Sequence, residues 1–90
     1  MADSIVELIK HGAKIVDVRT PAEFQDGAYP NAINIPVQVL PTRLAELPKN
    51  EPIILYCASG ARSAAATQTL KRAGYTQVMN AGGLFDMPEV

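Results

Sequence analysis

The run Ile53-Ile54-Leu55-Tyr56, closed by the chain's single cysteine, Cys57, constrains the fold more than any other stretch. Consecutive apolar residues with no polar alternation leave no face for water, so the run reads as a central strand covered on both sides. A chain of 90 residues has room for one core, and the expectation is a single domain over residues 1–90. A chain of this size hides roughly 60–65% of the surface it exposes unfolded, enough to fold without staples. None is on offer: one Cys cannot close an internal disulfide, and one Cys with one His cannot assemble a zinc-type cluster. No metal site is expected.

The remaining elements alternate around this strand. Ser4-Ile5-Val6-Glu7 fits a capping box opening a short helix, with Ile5, Leu8 and Ile9 on one side and Gly12 as its stop. Ile15-Val16-Asp17-Val18 reads as a buried strand. Thr20-Pro21-Ala22-Glu23 is a second capping box with Pro at the first helical position, and Gly27 ends that helix. Ala32-Ile33-Asn34-Ile35 reads as a short strand stopped by Pro36. Leu40, Leu44 and Leu47 recur at helical spacing after Pro41, with Pro48 closing the segment. After the cysteine, Ser63 to Ala73 is alanine-rich and helical, with Gly74 as C-cap. Gln77 to Asn80 reads as a last strand and Ala81-Gly82-Gly83 as a tight turn. Strands alternating with helices predict an α/β fold: a small, open, mostly parallel sheet flanked by helices.

Charge and hydropathy exclude several functions. A formal net charge of −1 gives no reason to expect nucleic acid or an anionic membrane as partner. No apolar run approaches the ~20 residues of a membrane span. Met1-Ala2-Asp3-Ser4 lacks a basic region followed by a hydrophobic stretch, so the expected location is cytoplasmic, or periplasmic after removal of a signal peptide.

Cys57 falls at the carboxyl end of the central strand, where open α/β sheets place their ligands. The next helix is predicted to start near Ser63, so the amides of Ala58 through Ser63 can curl around the sulfur while the positive end of the helix dipole faces it. Both effects lower a thiol's pKa, and the thiolate is the reactive form. Small side chains at Ala58, Ser59, Gly60 and Ala61 let the amides approach. Arg62 adds a fixed charge and a forked donor suited to an oxyanion. A buried structural Cys is the plainer alternative, but strand end, small residues, arginine and helix start all agree on a reactive one.

Cys57-Ala58-Ser59-Gly60-Ala61-Arg62-Ser63 resembles the C-x-x-G-x-R-S active loop of single-domain rhodaneses, the thiosulfate sulfurtransferases. Ile15 to Phe24, "IVDVRTPAEF", is similar to that family's opening DVR…E(F/Y) motif. Gly27 through Pro36 sits where the family usually reads GHIPGAINIP, and Gly74-Tyr75 with Asn80-Ala81-Gly82-Gly83-Leu84 is similar to its closing segment. The resemblance spans nearly the whole chain and is nearest the phage-shock-protein-E type. It implies a rhodanese-like fold and a sulfurtransferase in which Cys57 takes a sulfane sulfur from thiosulfate as a persulfide. Cyanide or a thiol, a thioredoxin-like protein among the candidates, then removes it. The loop from Ala58 to Ser63 would cradle the sulfur, Arg62 would orient the anionic donor, and Asp17 and Arg19 would organise the site. No metal or organic cofactor is implied.

The chain also departs from the pattern. Ala28-Tyr29-Pro30-Asn31 stands where the family has His-Ile-Pro-Gly, so no imidazole role is expected, and Leu84 and Phe85 replace a common Trp. With the sequence stopping at Val90, the family's usual last helix is expected to be short or missing. Arsenate reductases and the cell-division-cycle phosphatases share a Cys-to-Arg loop, but theirs has five intervening residues and this one has four, Ala58 to Ala61. The shorter loop suits a sulfur atom better than a tetrahedral phosphate. A non-catalytic interaction module of the same fold is the other alternative; such modules often lose the Cys that is present here. His11 reads as a solvated residue at a helix end, Arg43, Lys49, Lys71 and Arg72 as solvated surface, and Phe24 and Tyr29 as packing residues, with Tyr29 able to edge the pocket.

Overall fold

The computed structural model describes the backbone of residues 2–89 and the side chains of residues 5–89. Helix α1 (Ala2–Lys10) leads into strand β1 (Lys14–Asp17), helix α2 (Pro21–Gln25) and strand β2 (Ile33–Asn34). Two 3₁₀ turns (Leu40–Thr42 and Leu44–Glu46) precede strand β3 (Ile53–Cys57), helix α3 (Ala61–Arg72), strand β4 (Val78–Gly83) and a last 3₁₀ turn (Leu84–Asp86). The strands form one sheet in the order β2-β1-β3-β4, and every neighbouring pair is parallel.

All five residues of β3 are buried, because the strand is covered on both faces. Ile53, Leu55 and Cys57 share one face with Val16 and Val18, packed by Ala66 and Leu70 of α3 and by Leu40 and Leu47. Ile54 and Tyr56 point the other way with Ile15, and pack against Ile5, Leu8 and Ile9 of α1 and against Met87. This alternation places the cysteine on the α3 face and the tyrosine before it on the α1 face.

Four local expectations change. Helix α1 begins at Ala2, so Ser4 lies inside it rather than at its cap; the Ser4 side chain itself is outside the described residues. The Leu40–Leu47 segment is two 3₁₀ turns instead of one α-helix. Its bonds run from Arg43 N to Leu40 O and from Leu47 N to Leu44 O, and the Tyr75 hydroxyl also reaches the Leu44 and Leu47 carbonyls. Helix α3 starts two residues before Ser63, at Ala61, because Gly60 takes the left-handed conformation (φ 104°) and turns the chain immediately after the loop. Gly82 and Gly83 are not a tight turn: β4 runs on through them. Leu55 pairs with Asn80 but Tyr56 with Gly82, so Ala81 is an extra residue in a bulge that re-aims the strand end toward Cys57.

Candidate active site

Cys57 ends β3 with its side chain fully buried, while Ala58 and Ser59 beyond it are exposed. Gly60 bends the chain back, and its N–H donates to Sγ at 3.0 Å. Ser63, in the first turn of α3, approaches with its N–H at 3.4 Å and its hydroxyl at 3.5 Å. Burial pushes the thiol up, but the Ser63 hydroxyl and the amides of Ser63, Gly60 and Ser59 outweigh it and bring Cys57 down to about 7. The cradle expected over Ala58–Ser63 is therefore narrower than the whole loop: the N–H groups of Ala58, Ala61 and Arg62 make no bond to the sulfur.

Arg62 enters the site already paired. Its two terminal nitrogens donate to Glu23 of α2 at 2.7 and 3.0 Å, a forked ion pair that ties the cysteine loop to the segment after β1. Arg62 and Thr20 together hold the Glu23 carboxyl down at about 2. The same carboxylate closes the capping box of α2, accepting from Thr20 N at 3.0 Å while the Thr20 hydroxyl accepts from Glu23 N at 3.2 Å. Sequence reasoning found the capping box but missed Glu23 as the partner of Arg62, 39 residues away.

Asp17 and Arg19 lie behind the loop in a buried polar knot. Asp17 accepts from Arg19 Nη2 at 2.7 Å, from the Arg19 backbone N–H at 2.8 Å and from the Tyr56 hydroxyl at 2.8 Å. The Tyr56 oxygen in turn accepts from Tyr29 N, and burial pushes the Tyr56 phenol up to about 12. Arg19 also donates to the Gly27 carbonyl, and its guanidinium lies 5.7 Å from the centre of the Tyr56 ring. Beside it opens a cavity of about 510 Å³, lined by Arg19, Glu23, Ala58, Leu84 and Phe85 among others. Phe85 is 95% exposed at its rim. Among the described residues Arg19 Nη1 has no hydrogen-bond partner, which leaves one donor of this cation free beside the cavity.

The end of β4 forms the other wall. A Cβ on Gly83 would lie 2.2 Å from the Ala58 carbonyl oxygen, so only glycine lets the strand press against the loop there. Asn80 accepts the Ser63 hydroxyl at 2.6 Å and the Gly82 N–H at 2.9 Å. Neither role was visible beforehand; the paired glycines were the one available signal, and they pointed equally well to a turn.

The sequence matches the model of the rhodanese-like domain over residues 1–86. The chain belongs to the rhodanese-like family. A protein of Allochromatium vinosum named "Sulfurtransferase" is 44% identical over 69 residues, which are 77% of this chain and 64% of that protein. The thiosulfate sulfurtransferase PspE of Escherichia coli K12 is 42% identical over 79 residues, covering 83% of this chain and 76% of that one. A solved structure described as a rhodanese with anions from E. coli superposes with a TM-score of 0.80 at 40% identity, over 88% of this chain and 98% of the other. The four-stranded parallel sheet is thus a rhodanese fold, and Cys57 occupies the end of its central strand.

Proposed function

We propose that this rhodanese domain is a thiosulfate sulfurtransferase acting through a Cys57 persulfide. The observation that carries the reading is the sulfur itself: the lone thiol is held at about 7 by the Ser63 hydroxyl and by backbone amides at the carboxyl end of a parallel sheet. A thiol so placed is substantially ionised at neutral pH and needs no general base. The thiolate attacks the outer sulfur of thiosulfate; the S–S bond of the donor breaks with its electron pair, sulfite leaves, and Cys57 carries the sulfane sulfur. Cyanide or a thiolate then attacks that sulfur, and the new S–S bond breaks with its pair returning to Cys57. No net oxidation of the protein occurs.

In this reading the Gly60 and Ser63 amides hold the sulfur's charge. The exposed Ala58 and Ser59 leave room for the transferred atom. Arg62 contributes a positive charge close to the thiolate but has its fork filled by Glu23, so its role is to fix the loop as well as to attract the anion. The free donor of Arg19 beside the mouth supplies the remaining contact for an anionic donor. Asp17 keeps that guanidinium in place. The filled fork of Arg62 also argues against the phosphatase alternative, in which the loop arginine must clamp phosphate oxygens.

The test is intact-mass spectrometry after incubation with thiosulfate. The chain should gain one sulfur atom, lose it on addition of cyanide, and show neither change when Cys57 is replaced by Ser. A wild-type chain that stays at its original mass would overturn the proposal.

A further inference from the structure

The Ser63 hydroxyl has one proton and four acceptors around it: Asn80 Oδ1 at 2.6 Å, Gly60 O at 3.1 Å, Gly82 O at 3.4 Å and Cys57 Sγ at 3.5 Å. It cannot serve them all. The Asn80 amide is oriented by the backbone. Gly82 N–H only donates, so the Asn80 atom 2.9 Å from it is the oxygen, and Asn80 Nδ2 then faces the Gly60 carbonyl at 3.4 Å. With Cys57 as a neutral thiol, the nearest and best acceptor for the hydroxyl is therefore Asn80. The sulfur meets the hydroxyl's lone pair, which suits an S–H donor. Once the sulfur is ionised the balance changes, because a hydrogen bond to a charged acceptor is roughly twice as strong as a neutral one. Turning about the Cβ–Oγ bond moves the proton from Asn80 to the sulfur without displacing a heavy atom.

We propose that Asn80 is a positioning residue that holds the Ser63 hydroxyl proton away from the Cys57 sulfur, so that the hydroxyl turns to the sulfur only when Sγ bears full negative charge. The inference rests on Cys57 being the reacting group. In the persulfide the charge sits on the outer sulfur, Sγ is neutral, and the proton returns to Asn80. When an acceptor thiolate or cyanide bonds to the outer sulfur, the S–S bond breaks, its pair returns to Sγ, and the Ser63 hydroxyl meets the new charge. Asn80 thus weakens the thiolate slightly at rest and leaves a donor ready for its departure. The charged groups around the sulfur stay constant in this exchange: Arg62 of α3 is bound to Glu23 of α2, Arg19 after β1 to Asp17, and Asp86 to the Gly83 N–H.

The experiment is the pH dependence of iodoacetamide alkylation of Cys57 in the full chain, which has no other thiol. Asn80→Ala removes the hydroxyl's nearest acceptor and leaves the thiolate, the one charged acceptor, to compete with the Gly60 and Gly82 carbonyls; it should lower the alkylation midpoint by ~0.5 unit, about a threefold larger thiolate fraction on the acid side. Ser63→Ala should raise it by a similar amount. In the Ser63→Ala background, Asn80→Ala should change nothing. Asn80 is exposed, so water can replace its bond to Gly82, and Asn80→Asp provides a second variant that keeps the acceptor. Its fixed charge should grip the proton harder and raise the midpoint. A midpoint in Asn80→Ala that is unchanged, raised, or shifted equally with and without Ser63 would overturn the proposal. Alkylation uses no sulfur donor, so its outcome is independent of whether thiosulfate proves to be the substrate.

Discussion

Neighbouring strands β1 and β3 each end in a buried polar group, and the two are treated in opposite ways. At the end of β1, Asp17 meets a full charge, the guanidinium of Arg19, and adds the Tyr56 hydroxyl; both ionised partners are almost entirely out of water. At the end of β3, Cys57 meets no opposite charge directly. Its bonds come from two backbone amides and one shared hydroxyl. A fully paired ion has little reason to react: any displacement leaves a bare charge in a low-dielectric interior. Amide dipoles stabilise a thiolate enough to form it and leave its electron pair available. The fold therefore separates a buried ion pair from a weakly compensated sulfur, the group to which we assign the chemistry, one strand apart.

Breaking the first region should have the larger effect. Asp17→Asn keeps the shape of the knot but strands the Arg19 charge, and should cost about 3–5 kcal/mol in chemical denaturation. In the fraction that remains folded, the ionisation of Cys57 should be unchanged, because the sulfur's own donors come from Gly60 and Ser63. A large shift of the thiol in this variant would merge the two regions into one network.

The second region is more sensitive in its chemistry than in its stability. Gly83→Ala drives a methyl group into the Ala58 carbonyl, and the loop must move. The expected cost is about 1–3 kcal/mol, as for other overpacked sites. The telling readout is the thiol, which should move back toward the free-cysteine range as the Gly60 and Ser63 amides lose their aim. Unaltered thiol reactivity would mean that β4 does not shape the loop.

Much of this arrangement was legible in the sequence, for reasons tied to particular residues. The uninterrupted run Ile53–Tyr56 announces a doubly covered strand, and Thr20-Pro21-Ala22-Glu23 carries its own capping chemistry, which the structure reproduces. Cys57 and its small-residue loop are local too, and the rhodanese resemblance draws on them together with the motifs at Ile15–Phe24, Gly27–Pro36 and Asn80–Leu84. What stayed hidden depends on contacts across the chain. Glu23 signals a helix cap, and nothing within its own segment says that it also holds Arg62. Gly82-Gly83 has the composition of a turn, and only the parallel register against β3, with Ala81 bulged out, shows that it is strand. The leucines at 40, 44 and 47 have helical spacing, but the segment folds as two 3₁₀ turns whose Leu44 and Leu47 carbonyls are taken up by the Tyr75 hydroxyl, a contact 28 or more residues away.

The central claim is that the Ser63 hydroxyl and the backbone amides around the sulfur keep Cys57 ionised near neutrality, and a direct titration decides it. With one cysteine in the chain, the ultraviolet absorbance of the thiolate can be followed against pH, with the Cys57→Ser variant as the blank for tyrosine ionisation. Because the thiol is pulled down, the thiolate signal should be lost as pH falls through about 7 and be complete well before the tyrosines titrate. A midpoint at or above the free-cysteine value of about 8.5 would contradict the account.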